Sequence, residues 1–372
     1  MKILFISPRF HTNQIYWIKA LQKHGHSVNM YVINKSKTEN YQALQPSLLK
    51  ISKISKMIMN MFGSGGSNIY RGFPPIFRYF QLIKRGDANL VIIRDVGRWL
   101  SILTIIVCRL LQKNALIYSQ TDLSASRSIS RLFVYSFILY LTKGAWITPV
   151  RSDHPEDVRL PKKLYYVPFA VNIDDSKNGI PKRSNINILS IGKYVDRKNH
   201  YFLVNAVKRL KNIYPSIQLT IIGECSTPQQ WDYFAKLQSF ILLNKLSNSI
   251  KLLSNVEYER ISSYYKIADL FVLPASNEPA SISILEAMGY GIPAICSTSC
   301  GTRHYIESGK SGYIFEDKDE IDLSAKILSS LERNNYLKMI EYIKYKTSNE
   351  ISMNNYINHL TRVLKKTYGM DL

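Results

Sequence analysis

The chain has 372 residues, 46% of them hydrophobic, with 49 Lys+Arg against 27 Asp+Glu and a formal net charge of +22. That length suits two domains with ordinary globular cores. Four scattered cysteines (Cys108, Cys225, Cys296, Cys300) and seven histidines show no paired metal-ligand spacing, and such thiol usage fits a reducing cytosol.

The charge is lopsided. Residues 1–170 hold 24 Lys+Arg and 7 Asp+Glu, and the first 86 residues hold 13 basic side chains against one acid, Glu39. A chain rich in Lys, Ile, Asn and Tyr explains a high total, but such a bias acts on both halves and leaves the asymmetry unexplained. A one-sided basic field points to a polyanionic partner, either nucleic acid or an anionic membrane surface. Residues 2–7 run straight into Pro8 and Arg9, too short for a signal peptide. The longest apolar stretches, 99–111 and 132–141, fall short of a membrane span. The expectation is a soluble or peripheral protein.

In chain order the pattern predicts a strand at 3–7, a helix at 14–23 and a strand at 28–33. A basic helical region at 47–85 follows, then a strand at 90–93, a helix at 98–111, a strand at 116–119, a helix at 128–142 and strands at 145–148 and 165–167. Within the basic region, residues 48–62 place apolar side chains at 51, 54, 58 and 61 with Lys50, Lys53 and Lys56 offset from them, a basic amphipathic helix. It either packs on its own core or docks on an anionic leaflet. Residues 172–185, with Gly179 and Pro181, read as a linker. A second alternating series then places strands at 188–191, 219–222, 251–253, 270–273 and 294–296 with helices between them, and helical patterns close the chain from 321 to about 364. Such alternation predicts an α/β chain of two doubly wound domains facing a cleft.

The most informative stretch is EPASISILEAMGYGIP, residues 278–293. Glu278 and Glu286 bracket the junction where an apolar strand stops at Pro274 and a short helix begins, with Ser281 as its N-cap and Gly291 and Pro293 after its end. A helix start at the carboxyl edge of a sheet is where α/β proteins bind nucleotides and phosphates. From spacing alone the two carboxylates are equally compatible with solvated positions. A glutamate inside such a helix can accept both hydroxyls of a ribose, which suits Glu286, while Glu278 at the loop mouth suits a sugar hydroxyl. The amides of Ser281 and Ile282 start the helix and can bind phosphate oxygens. Two further features fall at strand ends. In IGKYVDRKNH, Gly192 allows a sharp turn and Lys193 and Lys198 can reach one diphosphate, with Arg197 competing for either role; the alternative is a solvated basic loop. Gly223, before Glu224, ends another strand and can line a nucleobase pocket.

Residues 267–315 resemble the signature region of retaining GT-B glycosyltransferases, glycosyltransferase family 4 (glycosyl transferases group 1). The family's two glutamates with seven residues between them match Glu278 and Glu286. Its Gly-Arg…Lys-Gly loop resembles Gly192-Lys193…Lys198-Asn199, and its hinge resembles Val167-Pro168-Phe169-Ala170-Val171. The departures are Lys193 for arginine, Asn199 for glycine, Ala280-Ser281 for Phe-Gly, and Pro8-Arg9-Phe10-His11 in place of a Gly-Gly loop.

The resemblance implies that Glu286 holds the donor ribose, Glu278 the donor sugar, and Lys193 and Lys198 the departing diphosphate. It implies an acceptor-binding domain at 1–170, with the C-terminal helix (about 352–372) packing back on it, a linker at 171–185 and a nucleotide-sugar-binding domain at 186–351. Acceptor-side candidates are Arg9, His11, Arg94 and Gln120. Asp122 either orients the acceptor hydroxyl or caps the helix near Ser128; His11 is either a site or a turn residue.

The implied function is retaining transfer of a sugar from a UDP- or GDP-linked donor to a glycan or lipid-linked acceptor. The expected setting is bacterial surface polysaccharide biosynthesis (lipopolysaccharide or capsule), peripheral on the inner face of the plasma membrane. No Asp-x-Asp motif is present, so no cofactor or essential metal is expected, and no nucleic-acid partner. Three other readings remain open: a nucleotide-sugar epimerase or phosphorylase-like relative, a basic nucleic-acid-binding protein, and an inactive sugar-nucleotide-binding protein.

Overall fold

A computed structural model describes residues 1–35, 39–61, 71–120, 129–151, 162–174 and 186–372, the side chains of 129–132 and 135 excepted. The chain divides into two compact units: Met1–Ala170 with Met353–Leu372, and Val171–Ser352.

The first unit contains β1 (Lys2–Arg9), α1 (Ile15–Lys23), β2 (Ser27–Asn34), β3 (Ser47–Leu48), α2 (Lys53–Met61), α3 (Ile76–Arg85), β4 (Leu90–Arg94), α4 (Trp99–Leu110), β5 (Asn114–Tyr118), α5 (Ile129–Thr142), β6 (Ala145–Thr148) and β7 (Leu164–Tyr166). All pairings are parallel, in the order β3-β2-β1-β4-β5-β6-β7. Strands buried on both faces need continuous apolar runs, and Leu90-Val91-Ile92-Ile93 supplies one. Successive side chains serve opposite faces. Leu4, Ile6, Val91, Ile93 and Trp146 pack with residues of α3, α4 and α5. Trp17 of α1 instead meets Tyr118 edge-on and stacks 4.8 Å from Tyr356, on the chain's last helix.

The basic region at 47–85 is not one helical stretch. Ser47–Leu48 is an edge strand, and Pro74-Pro75 separate α2 from α3. Pro75 is the residue immediately before α3, where a missing N–H costs nothing. The amphipathic helix read at 48–62 is observed as Lys53–Met61; its buried side is Ser55, while Ile54, Met57 and Met61 are exposed.

The second unit contains β8 (Asn187–Ile191), α6 (His200–Leu210), β9 (Gln218–Gly223), α7 (Pro228–Leu243), β10 (Ile250–Ser254), α8 (Tyr258–Ile267), β11 (Leu270–Leu273), α9 (Ile282–Gly289), β12 (Ala294–Ser297), β13 (Gly312–Phe315), α10 (Glu320–Leu331) and α11 (Arg333–Glu350). The closing helix, α12 (Met353–Tyr368), counts with the first unit. The sheet is parallel, in the order β10-β9-β8-β11-β12-β13. Both units thus have the doubly wound order whose strand sequence reverses beside the first strand: between β1 and β4 in one, and between β8 and β11 in the other. Ligands of such sheets bind outside the carboxyl ends at that reversal.

Candidate functional site

In the second unit the reversal brings two loops together. The loop after β8 turns at Gly192, whose N–H donates to the Ile222 carbonyl at 2.9 Å. A Cβ on Gly192 would sit 3.0 Å from Lys198 Cε, so glycine lets the lysine stem lie against the backbone. Gly223 is more tightly constrained: a Cβ there would stand 2.4 Å from the Gly192 carbonyl oxygen and 2.6 Å from the Tyr194 ring. Buried Tyr194 donates to the Leu253 carbonyl at 3.0 Å, tying the loop to β10. A 3-10 turn, Asp196–Lys198, ends at Asn199 with φ 50° and ψ 38°. That left-handed conformation explains why the related motif has glycine there, and asparagine is among the few residues that tolerate it. Asn199 Nδ2 also donates to the Pro274 carbonyl (2.9 Å) and Ser276 Oγ (2.7 Å), knitting this loop to the one after β11.

Across that junction lies Glu278. Lys198 Nζ donates to its Oε2 at 2.6 Å, and Arg197 Nη1 reaches the same oxygen. Both Lys198 and Glu278 are buried. Burial alone would raise the Glu278 carboxyl; the Lys198 ammonium and the Arg197 guanidinium outweigh it and hold the pKa below its ordinary value. Lys193, read as the second diphosphate contact, pairs with Glu224 at 2.7 Å, so the cations converging on Glu278 are Lys198 and Arg197.

Helix α9 starts beside them. Ser281 is its N-cap but makes no side-chain capping bond; its Oγ lies 2.8 Å from Ser283 Oγ, which reaches the Ile191 carbonyl at 3.4 Å. The Ser281 amide is already used, donating to Thr302 Oγ1 at 3.3 Å. The first amides inside the helix, from Ile282 onward, have no intrahelical partner by geometry and present the positive end of the helix dipole. The helix ends where the sequence suggested: Gly291 (φ 71°) closes a Schellman motif, with Gly291 N–H to the Met288 carbonyl at 2.9 Å and Ile292 N–H to the Ala287 carbonyl at 3.0 Å.

Glu286, one turn inside α9, is buried. It accepts from Tyr258 Oη at 2.9 Å on one oxygen and from Tyr265 Oη at 3.0 Å on the other. Burial raises its pKa, and the two tyrosine hydroxyls only partly offset that. Sequence reasoning missed both tyrosines. Their spacing of seven on α8 puts them on one helix face, which was the available signal.

In the first unit, Arg94 ends β4 and is buried. Its Nη1 donates to Asn13 Oδ1 at 3.0 Å and its Nη2 lies 3.4 Å from Gln120 Oε1, with the guanidinium 5.2 Å from the Tyr118 ring centroid. Asn13 was not foreseen. Arg9 ends β1, and its Nε lies 3.4 Å from His11 Nε2. Arg9 and Arg94 sit at the carboxyl ends of β1 and β4, either side of the strand-order reversal. Asp122 lies outside the described residues, as do 62–70 and 175–185. Among the described residues, no group of three or more His, Cys, Asp or Glu is placed to hold a metal ion.

Residues 171–347 match the family model described as Glycosyl transferases group 1. A UDP-N-acetylglucosamine–peptide N-acetylglucosaminyltransferase GtfA subunit from Streptococcus agalactiae is 28% identical over 36% of this chain and 25% of its own length. The lipopolysaccharide core biosynthesis glycosyltransferase LpsE of Rhizobium meliloti is 23% identical over 45% of this chain and 45% of its own length. The chain thus spans less than half of either relative. The crystal structure of Anabaena Alr3699/HepE in complex with UDP and glucose superimposes with a TM-score of 0.73 at 15% identity, covering 98% of this chain and 100% of that one. The chain therefore has the GT-B fold, and its second unit carries the match to glycosyl transferases group 1.

Proposed function

We propose that this chain is a retaining glycosyltransferase whose second unit binds a nucleotide-sugar donor at the β8/β11 reversal. The observation that supports it best is the joining of Lys198, Arg197 and Glu278 beside the start of α9, with Glu286 buried one turn further in. In this reading the ribose diol is received by the Glu286 carboxylate, taking over from one or both tyrosine hydroxyls. The diphosphate lies at the α9 N-terminus, and Glu278 receives a hydroxyl of the transferred sugar.

An acceptor hydroxyl attacks the anomeric carbon as the bond to the diphosphate oxygen breaks. The acceptor's proton leaves to the departing diphosphate or to water. Lys198, Arg197 and the helix dipole offset the charge that builds on the leaving group, without a divalent metal. The donor is UDP-linked or GDP-linked, and the likeness to a protein crystallised with UDP and glucose supports the former. The acceptor is a glycan or lipid-linked glycan at the cytoplasmic face of the membrane, in bacterial surface polysaccharide assembly; the partial match to LpsE, a lipopolysaccharide core biosynthesis glycosyltransferase, supports the polysaccharide part of this reading. Arg94, Gln120 and Asn13 are the acceptor-side candidates.

Thermal denaturation with a panel of nucleoside diphosphates and nucleotide sugars tests the donor site. A ligand at a hundred times its Kd should stabilise the folded protein by about 2.7 kcal/mol. Glu286→Ala should abolish the shift. A panel with no stabilising member, or an unaltered shift in Glu286→Ala, contradicts the proposal.

A further inference from the structure

The first unit has an outer surface that the donor site does not use. Helices α3, α4 and α5 cover one face of its sheet through Tyr79, Ile83, Leu100, Ile105 and Leu139, while α1 and α12 lie on the other. A helix that covers a sheet normally turns polar residues outward. Here it does not. Along α4, Trp99, Ile102, Ile106 and Leu110 form a stripe at spacings of three and four, all about half exposed or more. On α5, Phe133, Phe137 and Tyr140 do the same, with Phe133 74% and Tyr140 73% exposed. Ile76 and Phe77 on α3 are exposed as well, as are Ile54, Met57 and Met61 on α2. Helix α2 is held alongside: the Phe73 amide donates to Ser55 Oγ at 3.0 Å, and the Phe73 ring stacks on Trp99 at 5.9 Å. An apolar surface of this extent on a water-facing layer marks an interaction site.

The charges say which partner fits. By sequence, α2 to α5 contain seven Lys or Arg and no Asp or Glu. Lys53, Lys56, Arg78, Lys84 and Arg85 are exposed around the apolar surface. A second copy of the chain meeting this face two-fold would set the same basic rim against itself. An anionic bilayer complements both features: headgroups pair with the lysines and arginines, and Trp, Phe, Tyr and Ile side chains enter the interfacial region. No helix among the described residues is long and apolar enough to cross a membrane. We propose that the outer face of α2–α5 docks the protein on anionic lipid, and this does not depend on the donor reading.

Vesicle flotation with the full chain tests it, using phosphatidylglycerol–phosphatidylcholine vesicles against phosphatidylcholine alone. The protein should float with the anionic vesicles, stay behind with the neutral ones, and be released by high salt. Reversing Lys53 and Lys56 to Glu should lower partition at least about tenfold. The triple change Ile102→Ser, Ile106→Ser, Phe137→Ser should abolish binding at low salt while keeping the wild-type melting temperature within a few degrees. Nucleoside diphosphate stabilisation should be unchanged in both variants, which separates failure of this surface from failure of the donor site. Equal partition to both vesicle types, or binding undiminished in both variants, overturns the proposal. So does a solution dimer that the triple change dissociates.

Discussion

Replacing Lys198 by methionine should destabilise the second unit, because it leaves the Glu278 carboxylate buried beside a cation that is itself half exposed. The side chains of Lys198 and Glu278 are 7% and 10% exposed, that of Arg197 44%. Removing one partner of a buried ion pair costs roughly 3–5 kcal/mol. Arg197 still reaches Glu278, so the loss belongs near the lower end, about 3 kcal/mol. For a unit of this size each kcal/mol moves Tm by roughly 2–4 °C, giving a drop of about 6–12 °C in its unfolding transition. Methionine keeps the stem against Gly192, so no cavity term is added. Glu278→Gln in the same chain should restore most of the loss, because a neutral amide no longer needs a counter-charge there. Calorimetry of the wild type, both single variants and the double variant measures the coupling. A Lys198→Met transition within a degree or two of the wild type, or strictly additive losses, would refute the reasoning.

Glu286→Gln should raise stability at pH 7. The folded pKa of Glu286 lies above its ordinary value of 4.5, so its favourable contribution is complete below that value and is lost as pH rises through the folded pKa. The gain from Gln should therefore shrink to nothing as melts are repeated below about pH 4.5. Glu278 has the opposite sign: its pKa is lowered, so its contribution holds above 4.5 and fades as pH falls through the folded value, and Glu278→Gln should narrow the wild type's acid-side loss in Tm. Gly223→Ala, meeting a carbonyl oxygen at 2.4 Å and a buried ring, should cost about 1–3 kcal/mol and weaken nucleoside diphosphate binding by displacing the Gly192 turn, seen by melting and titration calorimetry. Sugar transfer, assayed by nucleoside diphosphate release with acceptor present, should persist in excess EDTA; complete loss restored by a divalent ion would contradict charge neutralisation by Lys198 and Arg197.

Much of the fold was legible because parallel strands buried on both faces leave continuous apolar runs such as Leu270–Leu273, whose ends the pattern located to the residue. The short helix after it was legible through its punctuation, a serine before and a left-handed glycine after. Strand β13 was not read: Gly312-Tyr313-Ile314-Phe315 is short and opens on a glycine at φ 147° whose Cβ would meet the Ala294 backbone, so its role lies in a neighbour remote in sequence. Likewise, spacing placed Lys193 and Lys198 in one loop, but only three-dimensional pairing showed Lys193 on Glu224 and Arg197 beside Lys198. The apolar face of α2 points outward because its other side is tied to the 71–73 segment: the Ser55 hydroxyl donates to the Arg71 carbonyl and accepts from the Phe73 amide, and the Ser52 amide donates to the Phe73 carbonyl, contacts no periodicity reveals.

A crystal structure of the full chain soaked with UDP or GDP probes the site most directly. Density for the diphosphate should lie at the start of α9 within reach of Lys198, with ribose hydroxyls on Glu286 and at least one of Tyr258 and Tyr265 displaced from it. A nucleotide bound elsewhere, with Glu286 still held by both tyrosines and Lys198 untouched, would contradict the donor site proposed for this unit.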